Sequence, residues 1–396
     1  MTITQPIKRV LLMNAASMII FNYIGIFVNL YIWEQGKRIM DVTWFNLVLF
    51  VVWSLAFALG ARLLSVFTTR FLIRTVAISG CLTFLLLSFL HLDSRMLWIA
   101  IIAVPVGLMW GFYASTQNIT LCIFGKGKDF EGYFSVATII GQVVSIVNPV
   151  AFAFVIKWIG YSGSFLLMFV FVIGLLIVSF TIPPITLAKE PEPLFNQKMK
   201  FSHVFSYPGL RWMVPSCLSA GVFLQFQGLF AIIFTFSVSG DKLVIALLNV
   251  LYALSSIGSM ILYRKLQQVR SGVWLAVGMT AICGGFLFAL LQYPLFLVVS
   301  NILTTIGLFY FGTVWNTGQF RVMSKHTAME QTRILLWREW FLNIPRIVVL
   351  ILAMFVEDFH TFPFYALMGF AILCALAVPL FSARNVDAPE KMTESA

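Results

Sequence analysis

Residues 183–207 read PPITLAKEPEPLFNQKMKFSHVFSY, and they form the longest polar stretch in an otherwise apolar chain. Prolines and charges of this kind predict an irregular segment outside the membrane. The stretch lies near the middle of the 396 residues and separates two sets of long apolar runs. It therefore predicts a linker between two similar halves of a membrane protein.

The composition indicates that the rest of the chain lies in lipid. Sixty per cent of the residues are apolar and only 10% are charged, whereas a soluble domain is nearer half apolar and a quarter charged. A spanning helix needs about 20 mostly apolar residues, and the sequence offers twelve such runs, numbered here as the first to the twelfth span. The predicted spans are residues 10–33, 43–67, 72–92, 96–123, 132–158, 162–185, 209–237, 242–264, 272–292, 294–320, 333–356 and 362–383. We therefore predict an all-α polytopic membrane protein.

Lys and Arg are unevenly distributed among the segments that join the spans. Most of them lie in every second segment, on the side that would hold both termini. Because basic loops stay in the cytoplasm, we expect a cell (inner) membrane protein with both termini cytoplasmic. The net charge of +11 reflects this topology, and no basic stripe indicates nucleic acid as a partner. The first apolar run lacks a small-residue cleavage site and predicts a span rather than a signal peptide.

Glycines recur at corresponding places in the two halves. Gly60 and Gly258 precede equivalent basic loops, and Gly107 and Gly307 lie in equivalent spans, in each case about half a chain apart. Two matches at nearly one offset indicate an internal duplication. The sequence thus predicts an N-terminal six-helix bundle (1–185), a cytoplasmic linker (186–208), a C-terminal six-helix bundle (209–384) and a cytoplasmic tail (385–396).

The chain resembles the major facilitator superfamily of transporters over nearly its whole length. The resemblance lies in the six plus six spans, the central cytoplasmic loop and the two cytoplasmic termini. The signature loop of that superfamily has a Gly, an acidic residue and several basic residues. Here Gly60, Arg62, Arg70 and Arg74 are present, but the acidic residue is absent. Residues 141–149, GQVVSIVNP, are similar to a Gly-rich run in the fifth span of drug-exporting members. The Arg that proton-coupled exporters often carry in the fourth span is missing from residues 103–122.

The resemblance implies that the first, fourth, seventh and tenth spans line a central cavity. The polar and aromatic residues of those spans are the candidate substrate contacts: Asn22, Tyr23, Asn29, Trp110, Tyr113, Gln117, Gln225, Gln227, Tyr310 and Asn316. Aromatic walls with a few amides suit an amphipathic or neutral substrate. The alternative is that these amides hydrogen-bond one helix to another, as amides also do in membranes.

The eleventh span carries the sharpest functional signal. Glu339 is an acidic residue well inside a predicted span, and Asn343 and Arg346 follow at helical spacing on the same face. A charge at the centre of a membrane helix costs roughly 2.5–3.5 kcal/mol on insertion scales. We hypothesise that Glu339 is a protonatable or gating carboxylate, with Arg346 as its partner or as an anion contact. The alternative is a structural ion pair, with Arg338 reaching the headgroups. Arg62, near the basic end of the second span, is a further gating candidate.

Signatures of other classes of protein were not found. The sequence has no GxxxxGK[ST], HExxH or GxSxG motif, so neither an ATP-driven pump nor an enzyme is predicted. The five cysteines lie in or beside apolar runs without a CxxC pair, and no histidines have ligand spacing. We therefore expect no disulfide framework, metal or cofactor.

The sequence as a whole predicts a monomeric secondary transporter that works by alternating access. Its expected substrate is an amphipathic or apolar small molecule that is exported with proton coupling. A lipid or glycolipid flippase and a neutral-nutrient facilitator remain alternatives within the transporter class. A non-transporting membrane sensor on the same scaffold is the alternative from another class.

Overall fold

The computed structural model describes residues 5–64, 66–90, 92–124, 128–182, 184, 208–266, 268–323, 326 and 328–386. Every regular element within these ranges is a helix. The predicted linker (186–208) and the predicted tail (385–396) lie almost wholly outside the described residues.

The helices follow the predicted spans closely. The first span consists of an α-helix (Gln5–Tyr23), a π-helical segment (Ile24–Val28) and a second α-helix (Asn29–Gly36). The second to sixth spans are Ile39–Leu63, Thr69–Phe89, Arg95–Phe124 and the long helix Lys128–Ser179, which holds the fifth and the sixth. After a short helix (Pro208–Arg211), the seventh to twelfth spans are Met213–Val238, Lys242–Lys265, Ser271–Ala289, Pro294–Met323, Ala328–Ala353 and Phe362–Val386.

The described residues contain ten helices that are long and apolar enough to cross a membrane. One of these, Val136–Ser179, has 44 residues, about twice what a span needs. Gly160 interrupts it with a φ of 71°, a left-handed conformation that glycine adopts without steric cost. The helix Ala328–Ala353 is not among the ten, and its 26 residues include the charged Arg338, Glu339 and Arg346. With the long helix counted twice and this charged helix added, the prediction of twelve spans is confirmed.

The spans of each half pack mainly on one another. In the first half the second span packs on the fourth, the first on the fifth, and the third on the fourth and sixth. In the second half the ninth packs on the tenth, and the seventh on the eleventh and twelfth. Two pairs of spans join the halves extensively, because the fifth packs on the eighth and the second on the eleventh. The halves therefore meet along two seams with space between them.

The two ends of the helices differ in charge, and they are named accordingly. The basic side holds Arg70, Arg264 and Arg321, at ends of the third, eighth and tenth spans. The opposite side holds Glu34 and Lys242, at ends of the first and eighth spans.

Close helix crossings explain two of the recurring glycines. A Cβ at Gly307 would contact the carbonyl oxygen of Gly278 and lie 2.5 Å from Cγ1 of Ile282, where the tenth span crosses the ninth. A Cβ at Gly107 would lie 2.7 Å from the carbonyl oxygen of Leu49, where the fourth span crosses the second. Small residues at such crossings let backbones approach closely in lipid.

An ion pair that the sequence did not predict fixes the opposite side of the first half. Asp41 is 2% exposed, and its Oδ2 accepts a hydrogen bond from Nε of Arg95 at 2.9 Å. Nη2 of the same arginine donates to the carbonyl oxygen of Ile32 at 2.8 Å. Arg95 therefore ties the first, second and fourth spans together at their ends.

Candidate functional site

A cavity of about 260 Å³ lies between the two halves. Its walls come from the first and fifth spans on one side and from the seventh, eighth and tenth on the other. None of its fourteen lining residues is charged, and most carry an amide or a hydroxyl group. The principal polar residues of the wall are Asn22, Gln142, Asn249, Tyr252, Ser256 and Asn301.

Hydrogen bonds hold these polar side chains in place. Nε2 of Gln142 donates to Oγ of Ser256 at 2.8 Å, which joins the fifth span to the eighth across the cavity wall. Nδ2 of Asn301 donates to the carbonyl oxygen of Ala231 at 2.9 Å and to Oγ1 of Thr235 at 3.0 Å. The wall is thus preorganised on both halves, which lowers the cost of ordering side chains when a molecule binds.

The π-helical segment of the first span borders the cavity. Ile26, within the segment, is one of the lining residues. Nδ2 of Asn29 donates to the carbonyl oxygen of Gly25 at 3.0 Å, and Oδ1 of Asn29 accepts from Nδ2 of Asn46 at 3.1 Å. π-Helical turns are rare and occur often at functional sites. Asn29 therefore supports the irregular turn and does not line the cavity.

A second feature is a buried polar cluster in the other half, called here the Arg338 cluster. Nη1 of Arg338 donates to Oε1 of Glu339 at 2.8 Å, Nε to Oε1 of Gln319 at 2.6 Å, and Nη2 to Oδ1 of Asn316 at 2.7 Å. The guanidinium also lies 5.2 Å from the centroid of the Trp315 ring. All three nitrogens of the guanidinium are hydrogen-bonded, so the group is held in one orientation, and the Glu339 carboxylate offsets its charge.

The Arg338 cluster differs from what the sequence led us to expect. Arg338 is 6% exposed and Glu339 is 7% exposed, so the alternative in which Arg338 reaches the headgroups does not hold. The ion-pair partner of Glu339 is Arg338 and not Arg346. Adjacent helix residues point about 100° apart, and sequence spacing therefore did not suggest this pair. The long arginine side chain is what allows it.

Arg346 lies elsewhere, at the seam between the eleventh and second spans. Its guanidinium is 5.4 Å from the ring centroid of Phe50 and 5.8 Å from that of Trp53. Nη1 donates to Oδ1 of Asn343 at 3.4 Å, while Nε is enclosed with no hydrogen-bond acceptor among the described residues. Arg62, the remaining gating candidate, is exposed at the basic end of the second span.

Of the ten predicted cavity residues, Asn22 alone lines the cavity. Tyr23 is fully buried, and its hydroxyl is 2.6 Å from Oγ of Ser164 inside the first half. The Tyr113 hydroxyl donates to Oδ1 of Asn14 at 2.6 Å. The others also pack between helices. Gln117 donates a hydrogen bond to Tyr133, the ring of Tyr310 stacks on that of Trp274, and Trp110 contacts Trp53 edge to face. Gln225 and Gln227 are buried, and Asn316 belongs to the Arg338 cluster.

Sequence reasoning overlooked the fifth and eighth spans as parts of the wall. Gln142 and Ser145 were noted only as part of a motif, although both line the cavity. A polar stripe was visible in the eighth span, since Asn249, Tyr252 and Ser256 follow at i, i+3 and i+7 and share one helix face. That stripe is the signal that could have located the cavity.

Contacts between the halves lie on the opposite side of the molecule. Nζ of Lys242 lies 3.4 Å from Oε1 of Glu34 and 4.9 Å from the ring centroid of Tyr161. The rings of Trp33 and Phe236 have centroids 6.3 Å apart. Each of these contacts joins the first half to the second, and together they are called here the opposite-side gate.

Comparison with known proteins gives likenesses in structure only. No protein-family model matches the sequence, and no curated protein matches it. Three solved structures resemble the chain over nearly its whole length. The POT family transporter PepTSo has a TM-score of 0.72 at 11% identity and covers 98% of this chain and 100% of its own.

The other two are transporters as well. A bacterial homologue of the iron transporter ferroportin, in an outward-facing state, has a TM-score of 0.68 at 11% identity and covers 97% of this chain and 100% of its own. The nucleoside transporter NupG has a TM-score of 0.64 at 14% identity, with coverage of 95% and 100%. Identities this low carry information about architecture alone, and the architecture common to all of them is the major facilitator fold, which is therefore the fold of this chain.

Proposed function

We propose that the chain is a secondary transporter that works by alternating access. The observation that carries this proposal is the polar cavity between the halves, with walls from both and a gate at one end. In this mechanism the two bundles rock about a central site that opens to each side in turn. The likeness to nucleoside, iron and POT family transporters supports the same class of function.

The cavity wall also bears on the substrate. Amides and hydroxyls without charges favour a molecule with several hydrogen-bonding groups, because a buried polar wall must be satisfied by its ligand. This supports an amphipathic substrate over a purely apolar one. Export, as in the drug-exporting members that the fifth span resembles, remains the proposed direction of transport. The basic side and both termini are proposed to face the cytoplasm from a cell membrane. Uptake of a neutral nutrient is the second candidate, since the same uncharged wall would suit it.

The opposite-side gate provides a direct test of alternating access. In a Glu34→Cys, Lys242→Cys double variant, a short bifunctional thiol reagent is expected to reduce substrate flux to background. The reason is that the bridge would hold together two ends that must separate when the halves rock. Flux is measured in proteoliposomes with labelled tetraphenylphosphonium, glucose and a fluorescent phospholipid, following whichever of these the unmodified protein moves.

A matched pair within one half controls for the modification itself. Gln292 and Tyr365 lie on the same side, with Nε2 and the hydroxyl 3.0 Å apart, and both belong to the second half. Bridging a Gln292→Cys, Tyr365→Cys variant is expected to leave flux intact. If the flux of a transported compound were unchanged by the Glu34–Lys242 bridge, alternating access through this gate would be rejected.

We also propose that transport is coupled to protons through Glu339. Glutamine keeps the shape and the hydrogen-bonding capacity of the glutamate side chain but cannot exchange a proton. The Glu339→Gln variant is therefore expected to lose substrate-triggered pH change inside vesicles loaded with a pH-sensitive dye, while still moving substrate down its gradient. Glu357→Gln, at an exposed position beyond the eleventh span, is the matched control. Unchanged coupling in Glu339→Gln would leave that carboxylate with a structural role only.

A further inference from the structure

Arg346 is a cation inside the eleventh span. It lies 18 residues after Ala328 and seven before Ala353, the two ends of that helix, so at 1.5 Å per residue it is about 10 Å from the nearer end. Its ring contacts, Phe50 and Trp53, lie near the middle of the second span. Charged side chains at such depth are rare and usually mark substrate or ion pathways.

No carboxylate forms an ion pair with Arg346 among the described residues. Oε1 of Glu339, the nearest acid along the span, is engaged by Nη1 of Arg338 at 2.8 Å. Asp41 lies at the opposite side and pairs with Arg95. The middle of the eleventh span therefore holds two guanidinium groups and one carboxylate, which leaves one positive charge without a counter-ion.

The hydrogen-bond donors around Arg346 also lack acceptors. Nε of Arg346, Nε1 of Trp53 and Nε1 of Trp110 are all enclosed without a hydrogen-bond partner in the described structure. Indole nitrogens can only donate. The two indole rings meet edge to face, with centroids 5.6 Å apart, and the ring of Phe21 lies 5.6 Å from that of Trp110.

These three donors come from both halves of the molecule. Arg346 belongs to the eleventh span, whereas Trp53 and Trp110 belong to the second and fourth. The second and eleventh spans form one of the two seams at which the halves meet. The three side chains therefore lie at the contact between the halves. Phe21 also adjoins Asn22, which lines the polar cavity at the same level of the first span.

We infer that Arg346, Trp53 and Trp110 form a binding site for the acidic group of a substrate, a carboxylate or a phosphate ester. The inference rests on the proposed transport function. The guanidinium supplies the charge and paired donors that such groups prefer, the indole N–H groups donate further hydrogen bonds, and the rings of Phe21 and Phe50 adjoin the site as an apolar wall. The substrate class is thus an amphipathic organic acid.

Binding is tested by thermal unfolding of the purified full chain with matched acidic and neutral probes. The soluble pairs are benzoate with benzamide and phenyl phosphate with phenol; the lipid pair is lysophosphatidic acid with lysophosphatidylcholine. We expect an acidic member, but not its neutral counterpart, to raise the unfolding midpoint. Its apparent affinity should fall at least about tenfold in Arg346→Gln, the loss typical of a hydrogen-bonded charge. Stabilisation by the soluble acids identifies a free acid as the source, and stabilisation by the lysolipid alone identifies a headgroup.

Lys157→Gln removes a charge of the same sign at an exposed position of the fifth span and is the matched control, expected to keep the full response. Stability without ligand gives a second readout. An uncompensated cation destabilises the empty protein, so Arg346→Gln should unfold at the same temperature as the parent chain or up to a few degrees higher. A midpoint lowered by several degrees would instead assign Arg346 a structural role and overturn the inference.

The inference is also overturned if neutral probes stabilise as well as acids, if no probe stabilises, or if the acid response survives in Arg346→Gln. These failures differ from a failure of the transport proposal. If acid binding depends on Arg346 but the Glu34–Lys242 bridge does not reduce flux, the binding site is supported and alternating access is rejected. If the bridge stops flux but no acid stabilises the protein, transport is supported and this binding site is rejected.

Discussion

Replacing Arg338 with glutamine is expected to destabilise the protein by about 3–5 kcal/mol, the range for breaking a buried ion pair from one side. The reason is that the carboxylate of Glu339, only 7% exposed, would lose the guanidinium that pairs with it. Gln319 and Asn316 would lose a donor as well. The free energy of unfolding in detergent, from denaturant titration followed by circular dichroism, measures the effect.

A double substitution separates the charge from the packing. Arg338→Gln together with Glu339→Gln removes both partners of the buried ion pair, and it is expected to recover a large part of the loss because the two side chains interact directly. Arg270→Gln removes an exposed arginine from the loop before the ninth span, and its effect should stay within about 0.5 kcal/mol. If Arg338→Gln were as mild as this control, the hydrogen bonds of the Arg338 cluster would contribute little to stability.

Replacing Gly307 with alanine is expected to cost about 1–3 kcal/mol through overpacking. The added methyl group would contact the carbonyl oxygen of Gly278 and lie 2.5 Å from Cγ1 of Ile282, so the ninth and tenth spans would have to move apart. The new methyl group would clash with a backbone carbonyl group, and rotating a side chain cannot relieve a clash with the backbone. The same unfolding titration measures the change.

Gly312 provides the control on the same helix. A Cβ there would have no neighbouring atom within 4 Å, so Gly312→Ala adds a methyl group without a clash. Alanine is the better helix former by roughly 0.5–1 kcal/mol, and this variant should be neutral or slightly more stable. Equal effects at Gly307 and Gly312 would contradict the close crossing of the ninth and tenth spans.

The sequence predicted the spans well because hydrophobic length is a local property. Even the boundary between the fifth and sixth spans, placed near Gly160, coincides with the one left-handed glycine of the described chain. The charged eleventh span was found because its apolar residues still fill about 20 positions. Span prediction needed no knowledge of which helices meet.

The recurring glycines were informative only in part. Gly80 and Gly278 each face the span that follows them, where a Cβ would approach Met109 and Tyr310 respectively. Gly60 would meet Oγ of Ser115, whereas Gly258, its counterpart by sequence, has open space. The recurrence in sequence therefore corresponds to close helix crossings at some positions and not at others.

The site was much harder to predict than the spans. Which polar face of a span meets a cavity depends on helix rotation and on neighbours distant in sequence, and a family rule about the first, fourth, seventh and tenth spans could not supply this. Tyr23 and Asn22 are adjacent, yet one is fully buried and the other lines the cavity. The ion-pair partner of Glu339 likewise depends on the conformation of the long Arg338 side chain, which the sequence does not give.

The ion pair at the opposite-side gate would make the proposed transport cycle depend on the salt concentration of the medium. Both side chains, Glu34 and Lys242, are about one-third exposed, so dissolved ions reach them. The screening length falls from about 10 Å in 0.1 M salt to about 3 Å in 1 M salt, which weakens their attraction. In the proposed alternating-access cycle, concentrated salt on that side would weaken the form in which this pair is made, and dilute salt would favour it. The balance between the two forms of the proposed cycle would then depend on the ionic strength around this pair.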